Sequence, residues 1–186
     1  NLVSLQDLYR VTGNRIMEMN TLFQLLALRE KNPQFFYQAK TILLMADLFN
    51  YLLTGKIATE CSIASTTQLT NPYTKEWSEY ILNSFELPSE IFSKIVGEGN
   101  CLGIIKPELG FGKMKVINVC QHDTASAFIS IPSENRFLFI SCGTWSLIGT
   151  ELNNPILSEE AMKFNLTNES GYNRTTRLLK NCTGLW

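Results

Sequence analysis

Hydrophobic positions along these 186 residues change their period several times, and each change predicts an element. From Ser4 to Val11 the pattern predicts a short helix, with Ser4 as N-cap, Asp7 in the first turn and Gly13 as its stop. Leu22, Leu25, Leu26 and Arg29 recur at helical spacing between Thr21 and Lys31, ahead of Pro33. The apolar run Thr41 to Met45 reads as a buried strand. Asp47 to Leu53 reads as a helix closed by Thr54-Gly55, and Lys75 to Phe85 as another that ends before Pro88. Glycines and Pro107 between Val96 and Gly112 predict loops and short strands.

Further along, Lys115 to Cys120 reads as a strand feeding a helix over Thr124 to Ile131. A turn-rich linker, Pro132-Ser133-Glu134-Asn135, precedes a strand from Arg136 to Ser141. A tight Gly143-Thr144 turn then joins it to a strand from Trp145 to Thr150, which makes a hairpin. Residues Asn165 to Gly171 read as a polar surface loop and Arg177 to Lys180 as a later strand, with Asn181 where that strand gives way to a turn. Helix-rich sequence followed by a hairpin predicts an α/β chain whose domain boundary falls near Pro132.

Composition narrows the partners. A hydrophobic fraction of 45% and a charged fraction of 18% fit a globular chain. A net charge of -1 gives no support for an electrostatic nucleic-acid or membrane partner. No apolar run approaches the roughly 20 residues that span a bilayer. Five scattered cysteines, with no paired or histidine-flanked cluster, predict reduced thiols in a cytoplasmic protein and no metal site of that kind.

The densest chemistry is His122-Asp123-Thr124-Ala125-Ser126-Ala127, followed by Ser141-Cys142-Gly143-Thr144-Trp145. Asp123, between a strand and a helix, is placed to act as a general base; an Asp there also serves as a helix cap, accepting from the backbone of Ser126. His122, the sole histidine, has no cysteine or serine partner in sequence and reads equally as a structural residue. Gly143-Thr144 suits a phosphate cradle and, just as well, a plain hairpin turn. It is not a P-loop, for no GxxxxGK[ST] pattern is present.

Taken in order, these segments resemble the FGGY family of carbohydrate kinases along nearly the whole chain. Asn20-Thr21-Leu22-Phe23-Gln24-Leu25 and Ala64-Ser65-Thr66-Thr67-Gln68-Leu69 with Trp77 belong to that match. Asp47 to Gly55 is similar to the family's D-x-x-x-Y-x-L-T-G segment. The His122 and Ser141 segments resemble its catalytic segment and its second phosphate turn, and Lys180-Asn181 with Gly184-Leu185-Trp186 resembles the motif after it.

The resemblance implies a partial actin-like ATPase fold of two ribonuclease-H-like domains. Residues 1–132 would be the end of the first, sugar-binding domain, and residues 133–186 the start of the second, ATP-binding domain. It implies that Asp123 activates the C1 hydroxyl of L-rhamnulose, or of another ketose or polyol, with ATP and Mg²⁺. His122, Thr124 and Asn181 would contact the sugar, and Gly143 and Thr144 the ATP. A non-catalytic sugar-binding module is the rival from another class. Ser170 stands where the family usually has a second glycine. The chain starts at Asn1 and stops at Trp186, without the family's N-terminal Asp-Gly phosphate loop or its adenosine pocket. It therefore reads as a fragment with both ends cut, inactive alone.

Overall fold

The computed structural model describes residues 3–133, 135, 137–143 and 145–184. Helix α1 (Leu5–Thr12) starts at Ser4, whose hydroxyl accepts from the Asp7 N–H, and stops at Gly13 in the left-handed region, φ 71°. Helices α2 (Thr21–Lys31) and α3 (Pro33–Gln38) follow, then α4 (Met45–Thr54), which Gly55 ends at φ 78°. Strand β1 (Thr59–Glu60) runs into the single-turn α5 (Cys61–Ala64), and α6 (Glu79–Ser84) follows. Strand β2 (Ile95–Val96) pairs in parallel with β1, and β3 (Cys101–Ile104) pairs antiparallel with β4 (Lys115–Ile117).

The last third is built around a sheet. Helix α7 (Asp123–Ile129) precedes β5 (Phe139–Cys142) and β6 (Trp145–Leu152), and α8 (Glu159–Lys163) precedes β7 (Leu166–Ser170) and β8 (Thr176–Thr183). The four strands lie in the order β5-β6-β8-β7, antiparallel throughout.

Two apolar clusters hold these layers. The first joins Leu8, Leu22, Leu25, Phe36, Leu69, Ile81 and Leu82 from the helical part. The second packs Phe128 of α7 on Phe139 and Leu179 of the sheet. The Phe128 ring meets Phe139 edge-on at 4.8 Å and stacks on Phe137 at 5.1 Å, the offset geometries that aromatic quadrupoles favour. Helix α7 thus sits on the sheet that follows it.

Several sequence expectations need correction. Thr41 to Met45 is no strand: Ile42 makes one parallel bridge to Phe92, and Met45 already begins α4. The helix expected from Lys75 starts only at Glu79, because Lys75 is left-handed (φ 59°), Thr70 bridges Trp77, and Ser78 caps the helix. The strand before Asp123 ends at Ile117 and is antiparallel to β3, so Asp123 does not lie at the carboxyl end of a parallel strand. Residues 166–170 form β7 rather than a surface loop, and Asn181 lies inside β8 opposite Leu147. Residues 134, 136 and 144, and the Leu185-Trp186 end of the last motif, lie outside the described residues.

Gly149 shows how closely the sheet is packed. A Cβ there would overlap the Leu178 carbonyl and stand 2.6 Å from Leu179 Cδ2. Overpacking of this kind typically costs about 1–3 kcal/mol. Gly149→Ala is therefore expected to lower the urea midpoint of unfolding by a corresponding amount with an unchanged m-value. An unshifted midpoint would show that the strands can yield.

Candidate functional site

The consecutive His122, Asp123 and Thr124 line one cavity of about 430 Å³ together with Gly143 and Asn181 from later in the chain. Its wall also includes the polar residues Asn14, Arg15, Asn20, Thr167 and Glu169, which sequence reasoning had not selected. The helical part and the sheet meet there. The Asn14 amide donates to Ser65 O and Asn168 O, and Arg15 Nη1 donates to Asn181 O at 3.3 Å. Thr144 lies outside the described residues.

Asp123 is the first residue of α7; His122 is the cap residue and caps through no side-chain bond. The Asp123 side chain is 96% exposed at the cavity. One oxygen, Oδ1, accepts from the Thr124 N–H at 2.6 Å and from its hydroxyl at 3.3 Å. The Ser126 N–H bonds to His122 O rather than to Asp123. A carboxylate steadied through one oxygen and open to the cavity can take a proton from a bound hydroxyl.

Main-chain placement of this turn comes from a buried carboxylate. Glu60 caps α5 by accepting from the Ser62 and Ile63 N–H groups and the Ser62 hydroxyl, and its Oε2 also accepts from the Gln121 N–H at 2.9 Å. Ser62 Oγ in turn accepts from the His122 N–H at 3.1 Å. Behind Glu60, Asp47 Oδ1 accepts the Glu60 N–H at 3.0 Å. Burial, against hydrogen bonds from Glu60 and Gln121 and with the Glu60 charge, pushes the Asp47 carboxyl up to about 7.

On the ring side, Glu169 Oε2 lies 3.0 Å from His122 Nδ1 and 3.0 Å from Arg177 Nη2, and Arg177 is fully buried. Burial raises the Glu169 carboxyl, but the His122 hydrogen bond, the charge that His122 carries when protonated and the Arg177 charge outweigh it and hold it below its usual range. The side-chain oxygens Oδ1 of Asn14 and Asn181 are buried and have no hydrogen-bond partner among the described residues, a state that is costly inside a protein.

The residue types fit a phosphorylated partner in part. Arg15 brings a guanidinium to the wall, but the Gly143 N–H is already donated to Trp145 O at 2.9 Å. Among the described residues, a Cβ on Gly143 would meet only Trp145 O at 3.7 Å, an ordinary contact. Atoms of Glu60, Glu98 and Cys120 lie within 4.8 Å of one another. Glu60 is already committed to four donors, which argues for a cap rather than a metal ligand.

A cavity between helices and sheet, with an open carboxylate beside unpaired hydrogen-bond acceptors, belongs to a known class. Residues 1–130 match the model of the FGGY family of carbohydrate kinases, N-terminal domain, and the chain belongs to that family. Its relatives include the rhamnulokinase of Halalkalibacterium halodurans, 41% identical over 97% of this chain and 39% of that protein. The rhamnulokinase of Bacteroides thetaiotaomicron is 40% identical over 99% of this chain and 39% of its own length. The chain thus spans about 39% of these relatives.

Among solved structures, the xylulose kinase of Rhodospirillum rubrum superposes with a TM-score of 0.83 at 14% identity, covering 98% of this chain and 38% of that one. Plasmodium falciparum glycerol kinase with ADP gives 0.82 at 17%, covering 97% and 38%. The fold is therefore the expected actin-like ATPase fold, in part.

Asp47 yields a test. Its folded-state value near 7 exceeds the ordinary Asp value of about 3.9, so the folded state holds the extra proton between those limits. Stability then falls as pH rises from about 4 to about 7. Asp47→Asn keeps the acceptor for the Glu60 N–H but does not titrate. It should be more stable than wild type at pH 8, with the gap closing toward pH 4, in urea melts at each pH. A gap independent of pH would exclude a proton on Asp47.

Proposed function

We propose that this chain carries the sugar-holding side and catalytic base of an ATP-dependent sugar kinase acting on the C1 hydroxyl of L-rhamnulose, in the cytoplasm. The observation that carries the reading is the exposed Asp123 carboxylate in a cavity lined by polar side chains, among them His122, Thr124, Asn181 and Glu169. The choice of sugar is supported by relatives about 40% identical that bear the name rhamnulokinase. Kinases for xylulose and glycerol share the fold and support a different ketose or polyol just as well on that ground.

In the proposed reaction the hydroxyl oxygen forms a bond to the terminal phosphorus of ATP as the bond to the bridging oxygen breaks. Asp123 receives the hydroxyl proton and ADP leaves. His122, Thr124 and Asn181 orient the sugar, Gly143 and Thr144 flank the phosphates, and Arg15 offsets charge at the same wall. Mg²⁺ bound to the nucleotide would neutralise the phosphates. Positioning supplies most of such a rate gain, since phosphoryl transfer has a loose transition state. We further propose residues 1–132 as the end of the first kinase domain and 133–186 as the start of the second.

In the natural protein that carries these residues, Asp123→Asn should lower kcat by about 10²–10⁴-fold while sugar affinity by calorimetry stays close to wild type. A variant with undiminished turnover would refute the base. A wild-type protein that binds sugar but never turns over would favour the binding module. Because the chain spans about 39% of its relatives, the 186 residues alone should give no turnover in a coupled ADP-release assay. Clear turnover would overturn that.

A further inference from the structure

We propose that Glu169, clamped by Arg177, is a positioning residue that fixes His122 in one tautomer, with Nδ1–H turned inward and bare Nε2 presented to the cavity as an acceptor beside Asp123.

Three atoms carry the inference. His122 Nδ1, Glu169 Oε2 and Arg177 Nη2 form a triangle with sides of 3.0, 3.0 and 3.2 Å. Were Nδ1 bare, its lone pair would face a carboxylate oxygen at 3.0 Å with no proton between them. With Nδ1 protonated, both it and Arg177 Nη2 donate to Oε2, which has two lone pairs to receive them. The 3.2 Å nitrogen–nitrogen distance is then only the third side of that triangle. Arg177 cannot swing away, because it is fully buried and its Nε donates to Ser170 O. Glu169 is fixed from its own side, since β7 is paired along its length with β8 and Glu169 stands opposite Arg177.

The consequence lies at the other ring nitrogen. Nε2 stands 3.5 Å from Asp123 Oδ1, and both residues line the cavity. An Nε2 without a proton accepts from a ligand hydroxyl next to the one that Asp123 would deprotonate. A site built to accept from a hydroxyl rejects analogues that lack it, because the acceptor is then left unpaired. His122 becomes a reader of hydroxyls only if its tautomer is held, and on α7 only Asp123 approaches the ring, at 3.5 Å from Nε2. The closer groups, at 3.0 and 3.2 Å from Nδ1, come from β7 and β8.

His122 is the sole histidine of the 186 residues, so its ring nitrogens can be followed without ambiguity. In the chain labelled with ¹⁵N-histidine and recorded at pH 8.5, above the ordinary histidine range of about 6.5, two-bond correlations assign the proton. The expected result is a protonated Nδ1 and a bare Nε2. A proton on Nε2 under those conditions overturns the proposal, and this wild-type measurement needs no variant to fold. In Glu169→Ala, Arg177 Nη2 is left as the donor facing Nδ1, so the proton should move to Nε2; Glu169→Gln, which keeps an acceptor oxygen, should restore the wild-type pattern. A tautomer indifferent to both substitutions would also overturn it.

The kinetic arm rests on the proposed sugar-kinase reading. In the natural protein, Glu169→Ala should raise KM for the sugar about tenfold with kcat little changed, as for one lost hydrogen bond, and Glu169→Gln should recover most of it. Equal losses in Ala and Gln variants would count against positioning. The two failures are separable: absent sugar turnover in wild type refutes the kinase reading, whereas the wrong tautomer refutes the clamp.

Discussion

Two buried carboxylates grip one turn of chain, and the geometry of the cavity depends on that grip. Glu60 takes hold of the backbone at Gln121 and, with Ser62, at His122; Glu169 takes hold of the His122 ring. Removing a carboxylate from water costs several kcal/mol unless donors replace the solvent. Glu60 meets this with backbone and hydroxyl donors, and Glu169 with a guanidinium and an imidazole. Deleting either acid would leave donors unpaired inside the protein, each at about 1–3 kcal/mol.

This frame explains how Asp123 can be almost wholly exposed and still well placed. Its backbone follows two residues that are pinned from the helical part, and its helix is anchored at the far end by Phe128 against the sheet. Only the carboxylate reaches solvent. Reactive groups on a rigid frame keep their position without being buried themselves, and an open carboxylate is not penalised by desolvation. Bonds from Asn14 to Asn168 O, from Ser170 N–H to Ser65 Oγ and from Lys75 Nζ to Thr176 Oγ1 tie the helical part to β7 and β8. The two halves of the cavity wall are thereby joined close to the turn they serve.

Much of this was legible in the residues, and what was not has definite causes. Helix α1 was readable because Ser4 and Gly13 mark its ends by local chemistry, and α2 because its apolar spacing and Pro33 agree. The hairpin of β5 and β6 was readable from the glycine turn. Strand β7 was missed because Leu166–Ser170 has no apolar alternation: four of its five residues are buried, and every one of those is polar, satisfied by partners distant in sequence. Lys75 to Ser78 carries helix-compatible residues, yet a local turn, in which the Lys75 N–H donates to Asn71 O and the Asn71 N–H to Glu76 O, holds Lys75 in the left-handed region. Of the site, the local motif around Asp123 was visible, and the family resemblance supplied Asn181. Glu169, Arg177, Glu60 and Asn14 were not, because their role exists only once segments distant in sequence meet.

That asymmetry separates what fold likeness can support from what the cavity can. Xylulose and glycerol kinases superpose on this backbone at 14% and 17% identity, so the backbone alone does not distinguish one hydroxylated substrate from another. Discrimination has to come from side chains whose protonation and direction are held. In this cavity the side chain held most firmly is a ring whose inner nitrogen is tied to a buried ion pair. An acceptor that cannot turn away or change its proton is left unsatisfied by a ligand that lacks the matching donor. On the proposed reading, the immobility of the turn would serve selection as much as catalysis.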